Sequence, residues 1–291
     1  MSIKHPIIAI TGSSGAGTSS VTHAFQHIFR RENLNAEIIA GDSFHRYDRA
    51  AMTAKMADEE AAGNNHFSHF GPAANLIEEL ENLFREYGET GQGKRRHYIH
   101  DEEEAGRYGA RPGTFTAWES LPQDTDLLFY EGLHGALQTG AVDIARHVDL
   151  RVGVVPIINL EWIQKIHRDR ALRGYSSEAV MDTILRRMPD YINYICPQFS
   201  RTHVNFQRVP TVDTSNPLVA KDIPSLDESF LVIRFDNPRG IDFPYLLSML
   251  HDSFMSRPNI IVCPGGKMNL AMQIIFTPMI LQLMDRKRRA R

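Results

Sequence analysis

Pro6-Ile-Ile-Ala-Ile-Thr11 runs directly into Gly12-Ser13-Ser14-Gly15-Ala16-Gly17-Thr18-Ser19-Ser20, and this junction decides how the rest of the chain is read. The first six residues have the apolar, β-branched character of a short buried strand. The Gly/Ser-rich turn that follows opens a helical stretch through Arg30. A loop between strand and helix can turn its backbone N–H groups inward as a phosphate cradle, with the positive end of the helix dipole behind them. The spacing is that of the Walker A pattern G-x-x-x-x-G-K-[ST], with one departure: Thr18 stands where the pattern has lysine. Ser19 is kept as a candidate magnesium ligand. The cation that normally meets the β/γ-phosphates must then come from elsewhere in the chain, or nucleotide binding has been lost.

Working outward, strands are expected at 36–40 (AEIIA), 126–130 (DLLFY), 149–155 (DLRVGVV), 209–213, 229–235 (SFLVIRF) and 259–263. Helices are expected over 50–87 with breaks near Gly63 and Pro72, over 158–188 with a break at Gly174, and over 242–251 and 266–285. Residues 88–124 carry many glycines and charges and read as irregular loops with an edge hairpin. Alternating strands and helices predict an α/β fold with a mostly parallel sheet covered on both faces. No internal repeat or linker divides the chain. We expect one domain over 1–291, with about 215–291 as an added sheet edge. The tail from Asp285 to Arg291 reads as a solvated helix end.

Two acids follow strands. Asp42, in Gly41-Asp42-Ser43-Phe44-His45-Arg46, comes after the second strand, and the C-terminal ends of parallel strands share one edge with the phosphate loop. A carboxylate there can accept the proton of an attacking hydroxyl; taken alone it could equally N-cap the next segment. His45, Arg46 and Arg49 add polar and cationic groups suited to an acceptor that already bears a phosphate. Glu131 ends the apolar run DLLFYEG, as a Walker B carboxylate does, to meet Mg²⁺ directly or through water. Further on, Lys165, Asp169 and Arg173 recur at i, i+4 and i+8, with Arg168 beside them, on one side of an expected helix. Lys165 is the only lysine between Lys94 and Lys221 and is the candidate for the missing cation. Arg173 before Gly174 suggests a helix end opening into a lid.

Composition narrows the function class. Over 291 residues the chain is 42% hydrophobic and 23% charged, with a net charge of −3, which gives no global attraction to nucleic acid or membrane. Lysine occurs seven times and arginine 25 times, and the arginine fork suits phosphate and carboxylate. Two distant cysteines, Cys196 and Cys263, fit neither a disulfide framework nor a metal cage, as expected of a cytoplasmic protein. No signal peptide or membrane-length apolar run is read.

The segments GSSGAGTSS, GDSFHR, SHFGPAANLIEEL, EYGETGQGKRRHYIHD, LLFYEGLHG, INLEWIQKIHRDRALRGYS, VPTVDTSNP, IRFDNPRGIDFPYL and VCPGGKMNLAMQ together resemble the phosphoribulokinase family, bacterial type, over essentially the whole chain. The resemblance implies a P-loop kinase fold. It implies ATP and Mg²⁺ as cofactors and transfer of the γ-phosphate to O1 of ribulose 5-phosphate, which feeds carbon fixation by the Calvin cycle. By that resemblance, Gly12 to Ser20 bind nucleotide, Asp42 is the general base, and Ser19 and Glu131 serve the metal. Lys165 stabilises the transferring phosphoryl, Asp169 is a second important carboxylate, and His45, Arg49, Arg168 and Arg173 bind the sugar phosphate. Bacterial members are similar in lacking the loop lysine, so Thr18 ceases to be a defect. The chloroplast-type regulatory cysteine is replaced by Ala16. The resemblance also implies activation by NADH, inhibition by AMP, an effector site including Arg31, Arg234 and Arg257, and a homo-octamer in which the strands near 231–235 and 259–263 could pair across subunits. Rival readings are a uridine kinase or pantothenate kinase of the same branch, an idle nucleotide-binding regulator, and a nucleic-acid binder using the basic tail. The presence of both Asp42 and Glu131 speaks against the regulator.

Overall fold

The computed structural model describes residues 4–13 and 18–290. Residues 14–17, and the side chains of 18–20, 172 and 173, lie outside the described residues. The expected contacts of Ser14, Gly15, Ala16, Gly17, Thr18, Ser19, Ser20 and Arg173 lie there too.

In chain order the first half contains β1 (Ile7–Thr11), α1 (Thr18–Arg31), β2 (Ala36–Ala40), α2 (Arg49–Ala61), α3 (Ile77–Thr90), β3 (Lys94–Arg95), α4 (Glu102–Tyr108), β4 (Glu119–Ser120) and β5 (Leu127–Gly132). The second half contains β6 (Leu150–Val155), α5 (Ile158–Arg173), α6 (Ser177–Asp190), β7 (Val204–Pro210), β8 (Ser229–Phe235), α7 (Phe243–Met249), β9 (Phe254–Arg257), β10 (Ile260–Pro264) and α8 (Met268–Arg289). Among the described residues, eight strands form one sheet in the order β2-β5-β1-β6-β7-β8-β10-β9, with β3 and β4 as a separate pair. The first five run parallel and the last three antiparallel, giving the expected mixed, mostly parallel α/β sheet.

All five residues of β1 are buried, because the sheet is covered on both faces. The period-two alternation sends Ile8 and Ile10 to one face, where Phe25 and Phe29 of α1 and Phe276 of α8 pack with Phe129. Ile7 and Ala9 face the other way, against Leu80, Phe84 and Tyr87 of α3.

Three expectations need correction, and one strand goes unread in the sequence. The strand placed at 209–213 is Val204–Pro210: the register Val204↔Phe235 through Pro210↔Ser229 buries Val204 and Phe206, whereas Thr211 to Asp213 are exposed. β8 and β10 pair with each other inside the chain, β8 also with β7 and β10 also with β9, so neither is free to pair across subunits. β9 escaped notice because its side chains are largely exposed and show no apolar alternation. Finally, α8 runs past 285, and the tail is not wholly solvated. Lys287 is buried, donating to the carbonyls of Thr125 (3.1 Å) and Asp126 (2.7 Å) just ahead of β5. The unforeseen α4 did carry a signal: Asp101 caps it by accepting from Glu104 N at 3.0 Å.

Candidate active site

The register of the parallel strands assembles the site. Glu131 in β5 lies between Ile10 of β1 and Ala40 of β2, so the strand tips, the start of the phosphate loop and Asp42 share one edge of the sheet. The approach is close. A Cβ on Gly41 would meet Gly132 Cα at 2.8 Å and the Tyr130 hydroxyl at 2.7 Å, so only glycine lets the two chain segments touch there. Gly12 N donates to Gly132 O at 3.2 Å, tying the loop entrance to the tip of β5. Beneath it, the buried amide of Gln198 accepts from Thr11 Oγ1 and Ala136 N, each at 3.0 Å, and donates to Leu133 O at 2.8 Å. Sequence reading missed Gln198, since nothing local marks a glutamine 187 residues from its partner.

Asp42 sits in a 3₁₀ turn, Gly41–Phe44, that takes its N-cap from Ala40. Its side chain makes no capping bond; one carboxylate oxygen, Oδ1, meets His45 Nε2 at 3.1 Å, and the other, Oδ2, faces His100 Nε2 at 3.6 Å. Enclosure alone would raise this carboxyl, but the His45 hydrogen bond, followed by the charges of His45 and His100, overcomes it and holds Asp42 well below the carboxylate range. The turn is clamped from behind by Arg96. Its guanidinium donates to Ser43 O (2.8 Å) and His45 O (2.5 Å) and lies over the rings of Phe115 (3.7 Å) and Trp118 (4.8 Å). Arg49, at the start of α2, reaches His100 O at 3.2 Å, and Arg46 reaches Asn75 O at 3.1 Å. The segment read as irregular loop, 88–124, thus walls Asp42 through Arg96 and His100.

The cationic group lies on α5, which follows β6 at the same sheet edge and closes at Gly174 in the left-handed region (φ 68°), the break expected there. Lys165 and Asp169, both buried, form an ion pair, and Arg168 Nε approaches Asp169 Oδ1 at 3.1 Å. Burial, then the nearby Arg187, brings the Lys165 ammonium down to about 8, against the opposing pull of Asp169. Burial raises the Glu161 carboxyl one turn earlier, where Tyr191 Oη donates to it at 3.4 Å. A pocket lined by Phe70, Ile158, Glu161, Lys165, Arg187 and Tyr191 opens beside this face. Phe70 and Arg187, in cation–π contact at 5.1 Å, join the cationic group to the 66–75 segment behind Asp42. His45, Arg49 and Asp42 are therefore brought together around His100, while Lys165, Arg168 and Asp169 form a second cluster. Arg234 and Arg257 both register with Ile260 across β10, far along the sheet from the strand tips, and Arg31 donates to Thr277 Oγ1 of α8 at 2.7 Å.

For Mg²⁺, the fit rests on oxygen donors. Glu131 stands at the strand tip beside the loop entrance, and no group of three His, Cys, Asp or Glu residues gathers among the described residues. A carboxylate at that strand tip suits an ion that takes one or two protein oxygens and completes its shell with phosphates and water. No helix among the described residues is long and apolar enough to cross a membrane.

Comparison with known proteins agrees with this geometry. The model of the Phosphoribulokinase / Uridine kinase family matches residues 7–215. The chromosomal phosphoribulokinase of Cupriavidus necator is 68% identical over 290 residues, covering 100% of this chain and 99% of that protein. The phosphoribulokinase of Nitrobacter vulgaris is 66% identical over 287 residues, 99% of each. The solved phosphoribulokinase from Rhodobacter spheroides superposes with a TM-score of 0.91 at 58% identity, covering 99% of this chain and 100% of that one. With the phosphate-loop junction, the two strand-tip acids and the full-length likeness in agreement, the chain belongs to the phosphoribulokinase / uridine kinase family.

Proposed function

We propose that this chain is a phosphoribulokinase, transferring the γ-phosphate of ATP to O1 of D-ribulose 5-phosphate to give ribulose 1,5-bisphosphate and ADP, the step that feeds carbon dioxide fixation. The observation that carries the reading is the placement of Asp42 at the strand edge shared with the phosphate loop and Glu131, walled by His45, His100 and Arg49. The full-length likeness to phosphoribulokinases selects the sugar phosphate as acceptor over uridine or pantothenate.

The division of labour follows from the chemistry of each group. Asp42 takes the proton of the O1 hydroxyl as that oxygen attacks phosphorus. His45, Arg49, Arg168 and Arg173 recognise ribulose 5-phosphate, the arginine forks suiting its phosphate. Lys165 supplies the charge absent at Thr18 and meets the transferring phosphoryl, and Asp169 orients Lys165 and Arg168 through its two oxygens. The backbone from Gly12 to Ser20 cradles the ATP phosphates. Ser19 and Glu131 would hold Mg²⁺, which when bound neutralises charge on the β- and γ-phosphates.

We further assign the protein to the cytoplasm and read 1–291 as one P-loop kinase domain. The added sheet edge over 215–291 is supported by the hydrogen bonding of β8 to β7. Arg234 and Arg257, laterally registered beside Ile260, and Arg31 on α1 are assigned to an effector site for NADH, an activator, and AMP, an inhibitor. The outer strand β9, with Phe254 exposed, supports homo-oligomer formation, an octamer by family resemblance. The test is ADP release from ATP and Mg²⁺ with ribulose 5-phosphate, uridine or pantothenate, with and without NADH or AMP. Ribulose 5-phosphate should support turnover, enhanced by NADH. Comparable turnover with uridine would overturn the acceptor assignment, and indifference to both nucleotides would remove the effector site.

A further inference from the structure

The proposal concerns Asn75 and rests on the reading of Asp42 as the base. Asn75 is buried at 1% exposure and forms an isolated antiparallel bridge with His45. Its amide nitrogen donates to His69 O at 2.8 Å and Gly71 O at 2.7 Å, spending both N–H groups on carbonyls. The opposite orientation of the amide would set oxygen against two carbonyl oxygens, so the orientation is fixed. Asn75 Oδ1 therefore faces His45 Nδ1, 2.8 Å away, and can only accept. His45 Nδ1 must carry a proton.

The consequence appears on the other side of the ring. His45 Nε2 lies 3.1 Å from Asp42 Oδ1. A neutral imidazole already protonated at Nδ1 would point a lone pair at the carboxylate, which repels it. Against an ionised Asp42 the contact is attractive only with a second proton, on Nε2. We propose that Asn75 is a positioning residue that fixes His45 as the doubly protonated partner of Asp42, engages Oδ1 in that pair, and leaves Oδ2 as the oxygen that receives the acceptor's proton. In the transfer the acceptor O–H bond breaks, its proton goes to Asp42 Oδ2 and its electron pair forms the new O–P bond. The bond from γ-phosphorus to the bridging oxygen breaks, with its pair leaving on ADP.

The other groups facing His45 accommodate a cation there. His69 lies against its ring at 4.1 Å, and burial, followed by the charge of His45, pushes His69 down to about 3, so it stays neutral. Buried His134 is likewise pushed down to about 4 by burial. Tyr98 presents its ring edge-on at 6.2 Å, and the Arg96 charge engages the His45 carbonyl. His100 stands on the Oδ2 side, its Nε2 3.6 Å from that oxygen.

The direct test is ¹⁵N NMR of histidine-labelled full-length protein at neutral pH, with the His45 signals identified by their loss in His45→Asn. Wild type should show both ring nitrogens protonated. Asn75→Leu should lose the Nδ1 proton, raise the ribulose 5-phosphate KM and lower kcat/KM for it about 10- to 100-fold, the scale of lost outer-shell support, with ATP KM unchanged. Asn75→Asp keeps an acceptor facing His45 Nδ1 and should keep the doubly protonated ring, with a loss of denaturant stability because its other oxygen meets the carbonyls of His69 and Gly71. A bare ring nitrogen in wild-type His45, or a doubly protonated ring in Asn75→Leu, overturns the proposal. If Asn75→Leu fails to fold, the wild-type spectrum still decides, since a bare ring nitrogen there overturns the proposal by itself. The two readings fail separately: full turnover in Asp42→Asn would remove the base while leaving the His45 spectra to stand or fall independently.

Discussion

The acid side and the cation side of the site are built in different ways. Asp42 occupies a short turn gripped on several sides: Arg96, lying over Phe115 and Trp118, holds the carbonyls of Ser43 and His45, Gly41 closely approaches Gly132, and Asn75 anchors His45. Lys165 instead rides on a helix that shares a small cluster with the next one, Ile166, Val180 and Ile184 with Trp162, separate from the two sheet cores. Its main partner, Asp169, is on its own helix. From this contrast we propose an acid preset before substrate arrives and a cation carried to the phosphates by an element with its own packing, as the expected lid after Arg173 would require. Preorganisation of the base and delivery of the cation would then be separable by mutation.

The largest expected effect falls on the preset side. Asp42→Ala should lower kcat by about 10⁴-fold, the upper range for a positioned base, with little change in ATP KM. Steady-state kinetics check this, and near-normal turnover would mean that another group takes the proton. Next, Lys165→Met should lower kcat by about 10²–10³-fold, as for a lost charge that stabilises the transition state. A rise in ATP KM with kcat intact would make Lys165 a ground-state phosphate contact.

The comparison also has a pH signature. Lys165 is brought down to about 8, chiefly by burial, so in the free enzyme it loses its proton as pH rises through that value. A neutral amine cannot balance phosphoryl charge, so kcat/KM should fall above about 8. Asp42, held well below the carboxylate range, stays ionised throughout. Lys165→Arg should lower the maximum yet move this alkaline limb upward, because guanidinium keeps its charge. An unmoved limb would assign it to another group.

The smallest effect tests the clamp. Arg96→Met leaves two carbonyls without their donor. It should cost about 1–3 kcal/mol in denaturant unfolding and raise the ribulose 5-phosphate KM several-fold, with ATP KM unchanged. Loss of stability with unchanged kinetics would show that Arg96 supports the fold and not the base.

What was legible in the sequence follows the same division. Asp42 and Glu131 could be read because a parallel sheet delivers every strand's C-terminal end to one edge, so position along the chain implies position in space. Lys165, Arg168 and Asp169 could be read because helical spacing is local. Asn75, Arg96, His100 and Gln198 could not. Each acts through partners 30 to 187 residues away, on segments with no periodic signal. The strand at 204–210 was misplaced for a related reason, its limits being set by pairing with β8 and not by its own composition. The buried Lys287 hid within a run of exposed arginines.

The account turns on which atom receives the phosphoryl group. ATP labelled in its γ-phosphate, incubated with Mg²⁺, ribulose 5-phosphate and the full chain, should yield ribulose 1,5-bisphosphate with the label on O1 in a 1:1 ratio to ADP. Label released as inorganic phosphate at the same rate without acceptor, or found on uridine when both acceptors compete, would contradict it.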